Sequence, residues 1–174
     1  MKKRLLVLLL AVVGSVLLFT NGTRIRELTL PQGFHADKVV VYKSLRELRL
    51  LKGGDTVKTY QISLGRNPIG PKDRQGDGRT PEGNYIIDWR KSNSSYHLAL
   101  HISYPNPSDK ARARQRGVPA GGMIMIHGSP NGFAWIGERH PLSDWTDGCI
   151  AVSNSEIEEL WRCVRDGTNI ILLP

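Results

Sequence analysis

The chain is poor in cysteine, with two among 174 residues, and in aromatic side chains, which make up 7% of it. One possible disulfide cannot staple a domain of this length, so a disulfide scaffold is excluded and a hydrophobic core must hold the fold. No C-x-x-C or H-E-x-x-H spacing occurs, which sets aside a zinc site even though His127, His140, Asp144, Asp147 and Cys149 share one window. No Gly-Lys-Ser/Thr follows the mid-chain glycines, which excludes a phosphate-cradling loop. The basic tract from Lys110 to Arg116 lacks an aromatic stacking platform, so nucleic acid is not an expected partner. Neither a cofactor nor a metal is expected. Internal repeats, low-complexity tracts and βαβ alternation are also missing.

What is present starts with Lys2, Lys3 and Arg4 ahead of an uncharged, mostly apolar run from Leu5 to Phe19. This reads as the basic and apolar regions of a secretory signal. As a helix the run would span about 22 Å against about 30 Å of hydrocarbon, marginal for a membrane span. A clean A-x-A cleavage site is lacking, so residues 1–22 read as a signal peptide or a short membrane anchor of an exported protein. The formal charge is +8, and setting aside Lys2, Lys3 and Arg4 leaves +5, so the exported part is basic in its own right. Anionic surroundings such as a cell wall or lipid headgroups would attract it.

Residues 23–37 show no sustained period and read as a linker; a single domain follows over 38–174. Strand-like runs separated by turn signals lie at Val39 to Tyr42, Leu45 to Leu51 and Val57 to Leu64, a meander with tight hairpins. Further strands are expected at about Asn84 to Trp89, around Leu98 to Ile102, in the apolar run ending at His127, and at Asn169 to Leu173. Between them, Gly65 to Gly83 forms a long Gly/Pro loop of the kind that carries function. One segment is firmly helical: Ile157, Leu160, Trp161 and Val164 recur at helical spacing, and Ser155 with Glu158 fits a capping box. The basic tract at 110–116 fits an extended edge or a short helix. About seven strands and one helix in the C-terminal region predict a mainly β fold, an antiparallel sandwich or barrel.

Cys149 follows Asp147 and Gly148 in a turn-rich run ahead of this helix. A thiol attacks only as thiolate, so it needs a base within hydrogen-bond reach and a group that orients the base. Of the five histidines, His35 lies in the leader, His97 and His101 share a strand, and His140 sits in a polar loop. His127 ends an apolar strand and is followed by Gly128, whose carbonyl would accept its second N–H and fix the tautomer. A satisfied core histidine fits the same residues equally well.

The segments MIMIHGSPN and WTDGCIAVSN, together with GDGRTPEGNYII, resemble the L,D-transpeptidase family, the YkuD-type catalytic domain, over about Lys38 to Leu173. The resemblance implies a β-rich fold with Cys149 as nucleophile and His127 as general base, acting on peptidoglycan stem peptides in the bacterial periplasm or cell envelope. It further implies that Gly128 orients His127, Thr146 shapes the turn, and Gly148 with Cys149 forms the oxyanion hole. Asp147, Arg79 and His101 are candidates for substrate binding, and Arg66, Lys72 and Arg74 are basic neighbours for stem-peptide carboxylates. Asp147 stands where the commoner motif has a second histidine, and Ala151 where many members carry Arg or Asn. An Asp charge facing the sulfur would raise the thiol pKa.

Three readings follow: a transpeptidase in wall cross-linking or remodelling, a hydrolase on the same scaffold that releases wall-linked peptide or protein, and a non-catalytic wall-binding module with an inert Cys149. The sortases, which also place His before Cys on a β-barrel, expect Thr-Leu-x-Thr-Cys and an arginine on the following strand; Asn169 to Leu173 has none.

Overall fold

The computed structural model describes residues 29–133 and 143–174. The signal or anchor expected at 1–22 and His140 lie outside the described residues. Among the described residues no helix is long and apolar enough to cross a membrane.

The elements run β1 (Lys38–Tyr42), β2 (Glu47–Lys52), β3 (Asp55–Gln61), β4 (Gly83–Ser94), β5 (His97–Ile102), α1 (Pro107–Gln115), β6 (Met125–His127), β7 (Ile150–Ala151), α2 (Asn154–Cys163) and β8 (Asn169–Leu173). The strands form one eight-stranded sheet in the order β3-β2-β1-β8-β4-β5-β6-β7. The mainly β expectation holds, and the sheet is mixed: β8 pairs parallel with β1, and β7 parallel with β6. The unforeseen strand is β7, whose two residues, Ile150 and Ala151, are too few to show a period. Past the end of β3, the amide and carbonyl of Ser63 pair with those of Ala151, so the two ends of the sheet order are stitched together.

Alternation in β1 and β2 turns Val39, Val41, Leu48 and Leu50 into a core shared with Ile87, Leu100, Ile126, Ile150, Ile170 and Leu172. Helix α2 lays Ile157, Leu160 and Cys163 on that core, so Cys163 is a small buried apolar residue. Its cap is Ser153 with Glu156, one pair upstream of the expected Ser155 and Glu158. Both frames satisfy the Ser-x-x-Glu pattern. The Val152 amide is the last to pair with the sheet, on the His127 carbonyl at 3.0 Å, so the chain turns into the helix at once. Glu158 instead holds His97 Nε2 at 2.7 Å.

A second helix, α1, resolves the basic tract as helical. Asn106 caps it, Asp109 returns the box, and Pro107 sits in the first turn, a start signal stronger than the alternation of arginines. Buried Asp109 also accepts from Tyr85 Oη at 3.0 Å and anchors the helix to β4.

Residues 29–37, part of the expected linker, lie against the core: Ala36 is buried and Leu30 and Phe34 pack on it. The Leu30 amide donates to Glu159 Oε1 at 2.9 Å.

The Gly/Pro loop is held from both sides. Buried Lys43 donates to the carbonyls of Gly70 and Thr80 and to Glu82 Oε1. Asp77 gathers the amides of Asp73, Arg74 and Arg79 and the ammonium of Lys72. Burial pushes the Asp77 carboxyl up, and these donors outweigh it and bring the carboxyl below its ordinary value.

Candidate active site

His127 ends β6, between Ala99 of β5 and Ala151 of β7. Its Nδ1–H donates to the Gly128 carbonyl at 2.7 Å, which leaves the lone pair on Nε2. The Gly128 amide donates to the Tyr96 carbonyl at 3.1 Å. A Cβ on Gly128 would lie 2.5 Å from Asn154 Oδ1, the atom that accepts from the Ser129 amide, so a side chain there would push Asn154 off that bond. The Tyr96 ring sits 4.5 Å from the imidazole and the Trp145 ring 5.7 Å away. Burial lowers the His127 pKa, partly offset by the Gly128 carbonyl, so the ring is neutral at neutral pH.

Cys149 sits on the turn that leads into β7. Gly148 holds φ at +128°, and a Cβ there would lie 2.5 Å from the Arg79 carbonyl oxygen. This turn needs glycine for both its φ and its close approach. Thr146 Oγ1 clips the turn by accepting from the Gly148 amide at 3.1 Å and donating to the Cys149 carbonyl at 2.8 Å. The Met125 amide points at Cys149 Sγ at 3.4 Å, and the thiol faces the Met123 carbonyl at 3.6 Å. Burial raises the thiol pKa, the Met125 amide lowers it, and the Asp147 charge adds a smaller upward push. At neutral pH the pair is therefore thiol and neutral imidazole.

Both residues line one cavity of about 410 Å³, with Tyr96, Trp145, Met123, Met125, Lys91 and Arg66 among its walls. A neutral base with a free Nε2 in the same cavity as a partly buried thiol suits proton abstraction and nucleophilic attack.

The other expected residues separate. Thr146 shapes the turn as its place implied. The Gly148 amide, expected beside that of Cys149 as an oxyanion donor, donates to Thr146 Oγ1 in this structure. Asp147 lies on the cavity wall with its carboxylate turned to solvent, 2.8 Å from Arg66 Nη2. Arg79 faces a neighbouring cavity and contacts Asp73 at 3.3 Å. His101 is one strand away, opposite Met125, where its Nδ1 meets Asp88 at 2.6 Å and its ring stacks on Trp89 at 4.6 Å. It is not among the residues that line the catalytic cavity, and its Nδ1 is occupied by Asp88. Lys72 is buried against Asp77 and also leaves the set of carboxylate binders.

Sequence reasoning missed Tyr96, Trp145 and Met125. Trp145 stands four residues before the nucleophile on the same turn, a proximity visible in the sequence. The Tyr96 ring and the Met125 amide reach the site only through strand pairing. Asp144, a possible ligand by type, is gripped by Arg46 through Nε at 3.0 Å and Nη2 at 2.7 Å. Among the described residues no group of three or more His, Cys, Asp or Glu side chains is placed to hold a metal ion.

A mixed, mainly β sheet with a histidine at the end of β6 and a cysteine just ahead of the β7 strand paired to it fits a domain of the L,D-transpeptidase type. The chain belongs to the YkuD family, L,D-transpeptidase catalytic domain, whose model matches residues 36–172. Among curated proteins it is 30% identical over 132 residues to YafK of Escherichia coli K12, whose name marks it as a candidate L,D-transpeptidase. That match covers 72% of this chain and 46% of YafK, so the chain spans about half the length of this relative. Among solved structures it resembles Pgp2 of Campylobacter jejuni, a helical cell shape determining protein, at 25% identity and a TM-score of 0.61, over 85% of this chain and 51% of Pgp2. An L,D-transpeptidase of Xylanimonas cellulosilytica shares the fold at 19% identity and a TM-score of 0.54, over 82% of this chain and 63% of the other.

Proposed function

We propose that this chain is an exported cysteine L,D-transpeptidase that acts on peptidoglycan stem peptides in the periplasm or cell envelope. The observation that carries the reading is the Nδ1–H bond to Gly128, which leaves Nε2 as a proton acceptor in the cavity that holds the Cys149 thiol. Nε2 takes the S–H proton, and the thiolate attacks the carbonyl of the diamino-acid residue. The Cys149 amide donates to the oxyanion. The C–N bond to the terminal D-alanine breaks, and His127 returns the proton to the leaving amine. An amine of a second stem then attacks the thioester, the C–S bond breaks, and the amine proton passes by Nε2 to the departing sulfur. The likeness to Pgp2 supports a role in wall remodelling and cell shape, and the basic, apolar-headed N-terminus supports export and membrane association.

Incubation of the purified protein with a stem tetrapeptide, followed by intact mass measurement, tests this reading. The wild type is expected to gain the mass of the acylating tripeptide, and Cys149→Ala to gain nothing and lose turnover by about 10³-fold or more. Full activity in Cys149→Ala would sink the assignment. Cross-linked dimers among the products mark transfer, and trimmed monomers mark water as acceptor.

A further inference from the structure

Next to the catalytic cavity lies a larger one, of about 870 Å³, between the Gly/Pro loop and the C-terminal end of α1. Arg66, Arg74, Arg79 and Arg116 line it, with Ile69 and Val118 as apolar walls. Arg66 lines both cavities. Its amide donates to the Thr146 carbonyl at 3.0 Å, so its backbone is locked to the nucleophile turn.

The arginines outnumber their anions. Arg79 and Arg116 share Asp73, at 3.3 and 2.8 Å. Asp77 is taken by Lys72 and three backbone amides. Arg66 holds Asp147 in a pair whose side chains are 60% and 84% exposed, which water screens and a ligand can displace. Arg74 has no carboxylate partner among the described residues. The cavity thus has unmet capacity for carboxylates, which arginine forks bind in two-pronged geometry. Across Arg66, on the wall of the catalytic cavity, stands Asp147, two residues from Cys149, an exposed carboxylate able to draw an ammonium toward the sulfur.

We infer that this arginine cavity and Asp147 together form the acceptor subsite, in which the arginines hold the free carboxylates of the second stem peptide while Asp147 pairs with its amine. The inference rests on the transpeptidase reading. Arg66 joins the two parts, since it pairs with Asp147 and lines the cavity that Arg79 and Arg116 also line. This assigns a use to Asp147 and to Arg116, the residue of the basic tract that α1 carries to the cavity.

The test is calorimetric titration of the Cys149→Ala protein, which needs no turnover. The probe is the stem tripeptide L-Ala-D-isoglutamyl-meso-diaminopimelate, which lacks the residue that the thiolate expels, beside the same peptide with its carboxylates amidated. Amidation is expected to weaken binding about tenfold or more. Adding Arg79→Gln with Arg116→Gln should erase that discrimination. The pair Lys110→Gln with Arg165→Gln removes the same charge outside the cavity and should keep it. Asp147→Asn should weaken the free tripeptide about threefold or more and leave its side-chain N-acetylated form unchanged. Equal affinity for carboxylate and amide forms, equal losses in both double variants, or the same loss for the donor tetrapeptide would each overturn the acceptor assignment. A wild type that forms no thioester overturns the function proposed above, while the titration still decides the subsite.

Discussion

Asp147 adds a charge to the wall of the cavity that holds Cys149. The family pattern does not anticipate it, and its charge stands near a thiol already raised by burial. The alkylation rate of Cys149 by iodoacetamide is therefore expected to climb through and beyond pH 9.0 rather than level off below it. Asp147→Asn removes the smaller upward push, shifts that climb to lower pH and speeds alkylation at pH 7; an unchanged profile would show that the charge does not reach the sulfur. His127 shifts the other way. Its folded pKa lies below 6.5, so acylation is expected to stay flat down to pH 6.5 and fall only as the ring protonates below it. Gly148→Ala meets both a φ of +128° and the Arg79 carbonyl at 2.5 Å. It should cost about 1–3 kcal/mol or more and reduce acylation, read by denaturant unfolding and adduct mass.

At the scale of elements, the nucleophile turn depends on what braces it. The Gly/Pro loop packs its Arg79 carbonyl against Gly148, and Lys43 holds that loop from below through two carbonyls and Glu82. Lys43→Met would leave Glu82 and both carbonyls without their donor in a part-buried place. A loss of about 2–4 kcal/mol in urea unfolding is expected, with a raised KM for substrate from the slackened loop. Helix α2 depends on a single serine. Ser153→Ala should cost about 1 kcal/mol, whereas Ser155→Ala, outside the observed cap, should cost a few tenths. Equal losses from the two would place the cap elsewhere.

The whole molecule is a sheet whose ends meet, with the site where they meet. Ser63 pairs with Ala151 and Gly65 with Thr146, so the chain leaving β3 is bonded to the segment that carries Cys149. Stability of the body and order at the nucleophile are therefore coupled. Glu159 offers a global readout: burial pushes its carboxyl up, but the Leu30 amide, Lys58 and Tyr60 together bring it below its ordinary 4.5. A depressed folded pKa stabilises the protein above pH 4.5, and that contribution is lost as the pH falls through the folded value. Thermal unfolding between pH 6 and pH 3 should show this loss, and Glu159→Gln should flatten that part of the curve.

The sequence by itself was enough for the mainly β class and the amphipathic helix near the C-terminus, and it singled out Cys149 and His127 as candidates. These rest on local signals: strand alternation, the 3.6-residue period of Ile157 to Val164, and a cysteine and a histidine each held beside a glycine. Short-range pattern also carried β8 to its residue bounds. It failed at β7, whose two residues hold no period, and at the linker, where Leu30 and Phe34 bury against strands and a helix far along the chain. Only the tertiary structure decided which charges belong to the site. His101 left it for Asp88, Lys72 left it for Asp77, and Arg116 entered beside Arg66, because a side chain's partners are set by which strands and loops pack together. Cys149 and His127 could be read from their neighbours in sequence; the cavity around them is built from residues that meet only once the sheet has closed.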